Sequence, residues 1–250
     1  MIYYCISLPD QIDRRARMTQ QFTQLSLKVN WFDAIRPDDD MPVIYQRTKR
    51  LNQYGYDLTT GEMGCFLSHR AVWLDFINRT NENKSNDLCS IFEDDIILNT
   101  DFCNIITELE TIKDQWDYVR FFAMFSRKKT NIQSTLPSGH QLIEFLKPPR
   151  GTQGYILNRH AALTLLNLTE QMIHPIDDTI DQVWRHNLKM FCITPALVIE
   201  DANLVSSIGS RKRSKLKLST KIKRELYRAP EAVRRTFWQY KTRLRWLFQR

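Results

Sequence analysis

The chain is expected to form an α/β domain on a mostly parallel central sheet, followed by a basic helical tail. Short apolar runs alternate with segments of helical spacing along residues 1–200, the pattern of a sheet covered by helices. One run, Leu88–Leu98, carries three consecutive carboxylates, Glu93, Asp94 and Asp95. Charge is segregated: residues 211–250 hold 15 Lys+Arg against 2 Asp+Glu, and subtraction from the totals of 36 and 28 leaves 21 against 26 in residues 1–210. The expected division is therefore a mildly acidic domain, 1–208, and a basic tail, 209–250.

Met1–Leu8 ends at Pro9-Asp10 and is expected to be a buried first strand. Asp13–Leu27 repeats Met18, Phe22 and Leu25 at helical spacing, and Val29–Ile35 is a second strand. Residues 36–60, with Asp38-Asp39-Asp40 and Pro42, read as irregular. Gly64–Asn78 is helical through Phe66, Leu67, Ala71, Trp73, Leu74 and Ile77, and Thr80–Asn86 is a polar loop. Leu88–Leu98 is a strand, Phe102–Ile112 an amphipathic helix and Tyr118–Phe122 a short strand. Residues 126–140 read as a polar loop. Gln153–Leu157 is strand-like, Arg159–Leu168 and Asp177–Asn187 are helices, and Lys189–Ile199 is a last strand containing Pro195.

At 250 residues, with 42% apolar composition, the chain has ample material for a core. Its five cysteines are odd in number, form no CxxC and sit among apolar neighbours, which fits reduced buried thiols in the cytoplasm rather than a disulfide framework or zinc site. Met1–Leu8 lacks a basic n-region and does not read as a signal peptide. No window is long and apolar enough for a transmembrane helix. GxGxxG and GxxxxGK(S/T) are both absent, which removes the dinucleotide fingerprint and the P-loop.

Three charges inside an apolar run belong where a strand leaves the core, because a buried carboxylate must be paired, protonated or bound to a cation. Hard oxygen ligands there suit Mg²⁺ or Mn²⁺ together with substrate phosphates; the competing reading is an acidic turn or helix cap. Ligands of α/β sheets bind at the carboxyl ends of strands, where this triplet lies.

Ile6-Ser7-Leu8 with Asp13-Arg14-Arg15, Phe32-Asp33-Ala34, Thr60–His69 (TGEMGCFLSH), Ile91–Asp95, Gly151-Thr152-Gln153-Gly154-Tyr155 and Pro175-Ile176-Asp177-Asp178 occur in that order. Together they resemble glycosyltransferase family 25, which includes bacterial lipooligosaccharide galactosyltransferases and relatives of the collagen galactosyltransferases. The resemblance spans roughly residues 1–205. It implies a GT-A-type fold, with donor binding in the N-terminal half and acceptor binding in the C-terminal half. It implies inverting, metal-dependent transfer of a hexose, galactose above all, from a UDP-sugar to a lipid-linked oligosaccharide. The alternative is a catalytically inactive relative that binds a nucleotide-sugar or glycan. The usual Asp-x-Asp is Glu93-Asp94-Asp95 here, so the resemblance makes Asp95, with Glu93, the metal candidate, and Glu93 or Asp94 the donor contact that faces the ribose or orients the metal's waters.

The other donor-side candidates are Ser7, Leu8, Arg14, Arg15, Glu62, His69, Gly151, Thr152, Gln153, Gly154 and Tyr155. Arginines grip phosphate oxygens, although Arg14 and Arg15 also suit a solvated helix start. Glu62 follows Gly61 near a helix N-terminus, and is either a donor contact or a first-turn acid. His69 is either a packed core residue or a contact to sugar or diphosphate. The Gly151–Tyr155 block is a polar loop beside a substrate or a plain turn. Asp177 and Asp178 are the catalytic candidates, one acting as general base, Asp177 by preference, and the other capping the helix. Asp201 is a minor candidate for a second metal-side carboxylate.

In the tail, Arg211, Lys212, Arg213, Lys215, Lys217, Lys221, Lys223 and Arg224 precede Val233, Phe237, Tyr240, Leu244 and Leu247 at 4-3-4-3 spacing. A basic amphipathic helix with aromatics is expected to bind an anionic membrane surface through residues 211–250, placing the protein peripherally on the cytoplasmic face of the inner membrane. A dimerisation helix and nucleic-acid binding are the weaker readings; no nucleic acid is expected.

Overall fold

The structure is a computed structural model and describes residues 1–37, 41–81, 87–124, 129–201 and 218–248. Asp38-Asp39-Asp40, the loop 82–86, part of the loop at 126–140, and the tail cations Arg211, Lys212, Arg213, Lys215 and Lys217 lie outside the described residues.

The chain runs β1 (Ile2–Ser7), α1 (Ile12–Gln24), β2 (Val29–Asp33), α2 (Arg47–Tyr54), α3 (Thr60–Asn81), β3 (Leu88–Glu93), β4 (Ile96–Leu98), α4 (Phe102–Thr111) and β5 (Tyr118–Arg120). It continues β6 (Thr130–Thr135), β7 (Gln141–Phe145), β8 (Gly154–Asn158), α5 (Arg159–Leu168), α6 (Ile176–Ile180), α7 (Val183–His186), β9 (Met190–Thr194), β10 (Val198–Glu200) and α8 (Leu218–Phe248). The large sheet has the order β2-β1-β3-β8-β5-β9-β7-β6. Parallel pairing of β1 with β2 and β3, and of β5 with β9, sets a common direction that only β8 and β7 oppose. The sheet is thus mixed and mostly parallel in direction, the expected α/β class with a C-terminal helix added. A separate antiparallel pair joins β4 to β10.

Both faces of the sheet centre are covered, which is why its strands read as unbroken apolar runs. Cys89 and Ile91 of β3, Tyr155 and Leu157 of β8, and Tyr118 of β5 face one core with Phe66, Trp73 and Leu165. Leu88 and Phe92, Ile156, and Val119 face the other with Met18, Phe22, Phe102 and Trp116. The Tyr118 and Tyr155 rings stack at 4.7 Å.

Several elements differ from expectation. The 88–98 run is two strands, because the chain leaves the large sheet after Glu93 and re-pairs in the small one. Lys189–Ile199 likewise divides around Pro195, which has no N–H for a ladder. The helix expected at Asp177–Asn187 breaks into α6 and α7, and at the break Asp181 reaches Arg120 of β5 at 2.8 Å. The polar stretch near 126–140 contributes the edge strand β6, whose alternating half-exposed residues carry no apolar signature. Helix α2 lies in the supposedly irregular 36–60. Its inward residue is Arg50, which is buried against the Tyr54 and Tyr56 rings at 4.0 and 4.8 Å, so an apolar count misses it. Gly55 ends α2 at φ 81°, the left-handed stop that glycine favours.

Helix α8 docks on the body. Gln239 Nε2 donates to the Leu146 carbonyl at 3.1 Å, Trp246 Nε1 to Glu144 at 2.7 Å and Trp184 Nε1 to Glu231 at 2.8 Å. Arg185 pairs with Glu231 at 2.8 Å and Arg245 with Glu144.

His186 ties α7 to its surroundings: its Nε2 meets the Ile180 carbonyl at 2.8 Å and its Nδ1 accepts from Leu188 N at 3.1 Å. The Nδ1 contact requires the neutral ring, and burial pushes its pKa down to about 4, against the Ile180 hydrogen bond. Unfolded histidine titrates near 6.5, so as pH falls from about 6.5 to 4 only the unfolded state takes up this proton. The stability contribution is therefore complete above 6.5 and lost on acidification, by about 3 kcal/mol at the end of the window. His186→Gln is expected to give a shallower fall of Tm between pH 6.5 and 4 than wild type, measured by thermal unfolding at each pH; parallel curves would contradict this.

Candidate active site

The site forms where β1 and β3 end side by side, with Ile6 opposite Glu93 in the ladder. The acidic triplet straddles that edge, and its three carboxylates have three different surroundings.

Glu93 is held on both sides. Thr152 Oγ1 donates to it at 2.5 Å and His69 Nε2 lies at 3.2 Å. The other ring nitrogen, His69 Nδ1, meets the Tyr155 hydroxyl at 2.8 Å, and that hydroxyl accepts from Trp73 Nε1 at 2.9 Å. Because an ionised carboxylate only accepts, His69 Nε2 is the donor to Glu93, while Nδ1 faces the Tyr155 hydroxyl. Burial opposes ionisation of Glu93, but His69, Thr152 and Arg14 outweigh it and hold the carboxyl below its usual range. Cys65, His69 and Trp73 recur at i, i+4, i+8 along α3 and so share one helix face.

Asp94 accepts from Ser7 Oγ at 2.5 Å and pairs with Arg14 at 2.8 Å. Asp95 Oδ1 is buried and has no hydrogen-bond partner among the described residues. Burial, then the charges of Glu93 and Asp94, push its carboxyl up to about 7. An orphaned carboxylate oxygen beside two ionised acids is the donor environment that a divalent cation would satisfy, so the residues present fit a hard cation at Asp95 with Glu93 nearby. Asp201 adjoins Asp95, its N–H donating to the Asp95 carbonyl at 2.9 Å, but its carboxylate pairs with Arg17.

Cys65, His69 and Glu93 also place ligand atoms within 4.8 Å of one another. Both His69 nitrogens are already engaged, and burial, then Glu93 and Asp177, push the Cys65 thiol well up. This trio is therefore a hydrogen-bonded wall and not a soft-metal centre.

The structure thus gathers Ser7, Arg14, His69, Glu93, Asp94, Asp95 and Thr152 at one point, with the backbone of Leu8 and Gly151 flanking it. Gln153 serves from behind: its carbonyl accepts from Glu93 N at 2.9 Å and its side chain donates to Glu200 at 2.7 Å. Gly151 adopts φ +90°, and a Cβ there would collide with the Gln153 side chain.

Four donor-side candidates make contacts within the fold. Arg15 is taken by Asp33 at 2.5 Å and the Ser7 carbonyl at 2.7 Å, with its guanidinium over Trp31. Glu62 accepts from Thr59 N at 2.9 Å while Thr59 Oγ1 accepts from Glu62 N at 3.1 Å, a capping box that starts α3. Tyr155 is fully buried behind His69, and Gly154 packs against Val198 and Phe121 inside β8. Within TGEMGCFLSH, Gly64 and Ser68 are also architectural. A Cβ on Gly64 would meet the Ile35 carbonyl at 2.6 Å, and Ser68 Oγ accepts from Ile35 N at 2.8 Å.

Asp177 and Asp178 begin α6 after Pro175. Asp177 Oδ1 accepts from Asp178 N at 2.7 Å, and its charge reaches Cys65 on the triplet side. Asp178 pairs with Arg150 at 2.9 Å and lines a cleft against α8. Sequence reasoning missed Cys65, Trp73, Glu200 and the buried Arg120–Asp181 pair. Only the i, i+4, i+8 spacing of Cys65, His69 and Trp73 was available to find the first two.

Glu62→Ala removes half of the capping box and is expected to cost about 1 kcal/mol. Denaturant unfolding should show that loss while nucleotide binding stays at the wild-type level. A selective loss of nucleotide binding would return Glu62 to the donor site.

The model of the family described as "Glycosyltransferase family 25 (LPS biosynthesis protein)" matches residues 1–180. Similar proteins include lipooligosaccharide biosynthesis protein lic2B of Haemophilus influenzae, 25% identical over 215 residues that cover 81% of this chain and 77% of the relative. The lacto-N-neotetraose biosynthesis glycosyltransferase LgtB of Neisseria gonorrhoeae is 25% identical over 185 residues, 70% of this chain and 64% of the relative. Procollagen galactosyltransferase 1-A of Xenopus laevis is 26% identical over 224 residues, 78% of this chain but 35% of the relative. A crystal structure of a glycosyltransferase involved in glycosylation of the major capsid of PBCV-1 is similar at a TM-score of 0.45 and 7% identity, covering 91% of this chain and 98% of that one. With the family match extending over most of its length, the chain belongs to glycosyltransferase family 25.

Proposed function

We propose that this chain is an inverting hexosyltransferase that moves galactose from UDP-galactose to a lipooligosaccharide core acceptor. The observation that carries the donor side is Asp95 Oδ1, a buried carboxylate oxygen just past the central strand with no hydrogen-bond partner among the described residues. Asp95 and Glu93 would hold Mn²⁺ or Mg²⁺, which when bound supplies positive charge against the leaving diphosphate. Asp94, fixed by Ser7 and Arg14, keeps the turn in place and faces the donor. His69 and Thr152 orient Glu93 so that one carboxylate geometry is available. Galactose is the sugar in the name of the procollagen relative, and lipooligosaccharide in that of the Haemophilus relative.

Inversion needs a single displacement, with the acceptor hydroxyl attacking opposite the diphosphate and losing its proton. We assign that proton to Asp177. Its charge acts on Cys65, whose ligand atom lies close to Glu93, whereas the charge of Asp178 is already met by Arg150. Turnover of a panel of UDP-hexoses with core acceptor, with and without Mn²⁺, tests the reading. Asp177→Asn is expected to lower kcat by roughly 10²–10⁴-fold with UDP binding retained, and Asp95→Asn to lose the response to Mn²⁺. No turnover of any UDP-hexose with core acceptor in the presence of Mn²⁺ or Mg²⁺ would overturn it.

The same reading places the enzyme on the cytoplasmic leaflet. No helix among the described residues is long and apolar enough to cross a membrane. The side of α8 opposite its docked face shows Val233, Phe237, Tyr240, Leu244 and Leu247 to solvent, with Phe237 59% and Leu247 65% exposed. Arg234, Lys241 and Arg243 flank this stripe, an arrangement in which apolar side chains enter the headgroup boundary while cations meet anionic lipid. Each cation near the surface is worth about 1 kcal/mol. Phe237→Ser with Leu247→Ser is expected to weaken cosedimentation with phosphatidylglycerol vesicles by tenfold or more, leaving transfer to soluble acceptor unchanged. Unaltered vesicle binding, or a mass that doubles with concentration in wild type alone, would assign the stripe elsewhere.

A further inference from the structure

Between α8 and the body lies a cleft of about 780 Å³, within the size range of small-molecule sites. Asp178 is in its wall, so it adjoins the proposed base, and the family match ends at residue 180, before most of the C-terminal side of this wall. Four carboxylates line it, and each is matched by an arginine: Asp178 by Arg150, Asp181 by Arg120, Glu225 by Arg228 and Glu231 by Arg185. That leaves Lys147 and Arg235, both in the lining and exposed, with no ion pair among the described residues. The lining also includes Gln182, which is 6% exposed, donates through Nε2 to the Asp178 carbonyl at 3.2 Å and has no partner for Oε1 among the described residues.

A buried amide oxygen without a donor costs free energy in the empty protein, and a ligand hydroxyl would meet it. Two surplus cations in an otherwise neutralised cleft favour a negatively charged group. We infer that this cleft binds the acceptor as an anionic saccharide, with a hydroxyl on Gln182 Oε1 and a phosphate or carboxylate on Lys147 and Arg235. The inference rests on the glycosyltransfer reading of the adjoining site and adds the acceptor's chemical class. It also gives α8 a second task, because the helix that offers its outer face to lipid forms the acceptor wall with its inner one.

The test is calorimetric titration of the full chain with phosphate-bearing core oligosaccharide released from lipooligosaccharide by deacylation; it needs no donor and no turnover. Lys147→Ala with Arg235→Ala is expected to raise Kd by tenfold or more and to leave UDP binding unchanged. Phosphatase treatment and carboxyl reduction of the saccharide, applied separately, identify the anion that is gripped; removing it should weaken wild-type binding by a similar factor. Equal Kd for wild type and double variant, indifference to both treatments, or no binding at millimolar saccharide would each overturn the inference. If the saccharide binds as expected while no UDP-hexose is turned over, the glycosyltransfer reading fails and the cleft assignment stands. If UDP-galactose is turned over while binding ignores Lys147 and Arg235, the cleft assignment fails alone.

Discussion

The structure depends on keeping one half-buried carboxylate, Glu93, ionised at the end of the central strand. Burial alone would neutralise it, and a neutral Glu93 would lose its hold on the turn that follows. A chain of hydrogen bonds from Trp73 through Tyr155 and His69, with Thr152 on the other side, secures the charge. Those residues come from α3, β8 and the loop before β8, so the same contacts that fix Glu93 join the helical layer to the sheet. A fully satisfied buried network of this kind specifies a single arrangement, whereas a partly satisfied one is costly.

With Glu93 fixed, its neighbours are free to differ. Asp94 is spent on Ser7 and Arg14, which pin α1 to the edge of the sheet. Asp95 inherits the repulsion of both neighbours and has an oxygen that no group among the described residues satisfies. Three adjacent carboxylates therefore do three jobs: one anchors the network, one braces the turn, and one is left for a ligand. The separation arises because alternate backbone positions at a strand end face different elements, not from any difference in the acids themselves.

Helix α8 shows a comparable division around its axis. Its inner residues, among them Glu231, Gln239, Thr242 and Trp246, meet the body, while Val233, Phe237, Tyr240 and Leu244 point away. A helix with apolar or aromatic residues on opposite sides has too much apolar surface for one partner. The body covers one side, and the other needs a second surface.

The sequence by itself determined the alternation of strands and helices, the buried runs of β3 and β8, the helix of the tail, and the six ordered blocks that mark the family. These are local patterns, set by side-chain periodicity and spacing. It also located the triplet where a strand leaves the core, since three charges cannot stay inside an apolar run. It did not separate Asp94 from Asp95, distinguish capping by Glu62 from substrate contact, or set Arg14 apart from Arg15. Those choices depend on what lies opposite in space: Ser7 against Asp94, Thr59 against Glu62, Asp33 against Arg15. Helix α2 and the β6 edge escaped because Arg50 and half-exposed polar residues stand where apolar periodicity would be sought. Only the tertiary structure made α8 a wall of the cleft at Asp178, because it brings that residue into one cleft with residues 225–239, about fifty to sixty positions away, across a separation that no periodicity spans.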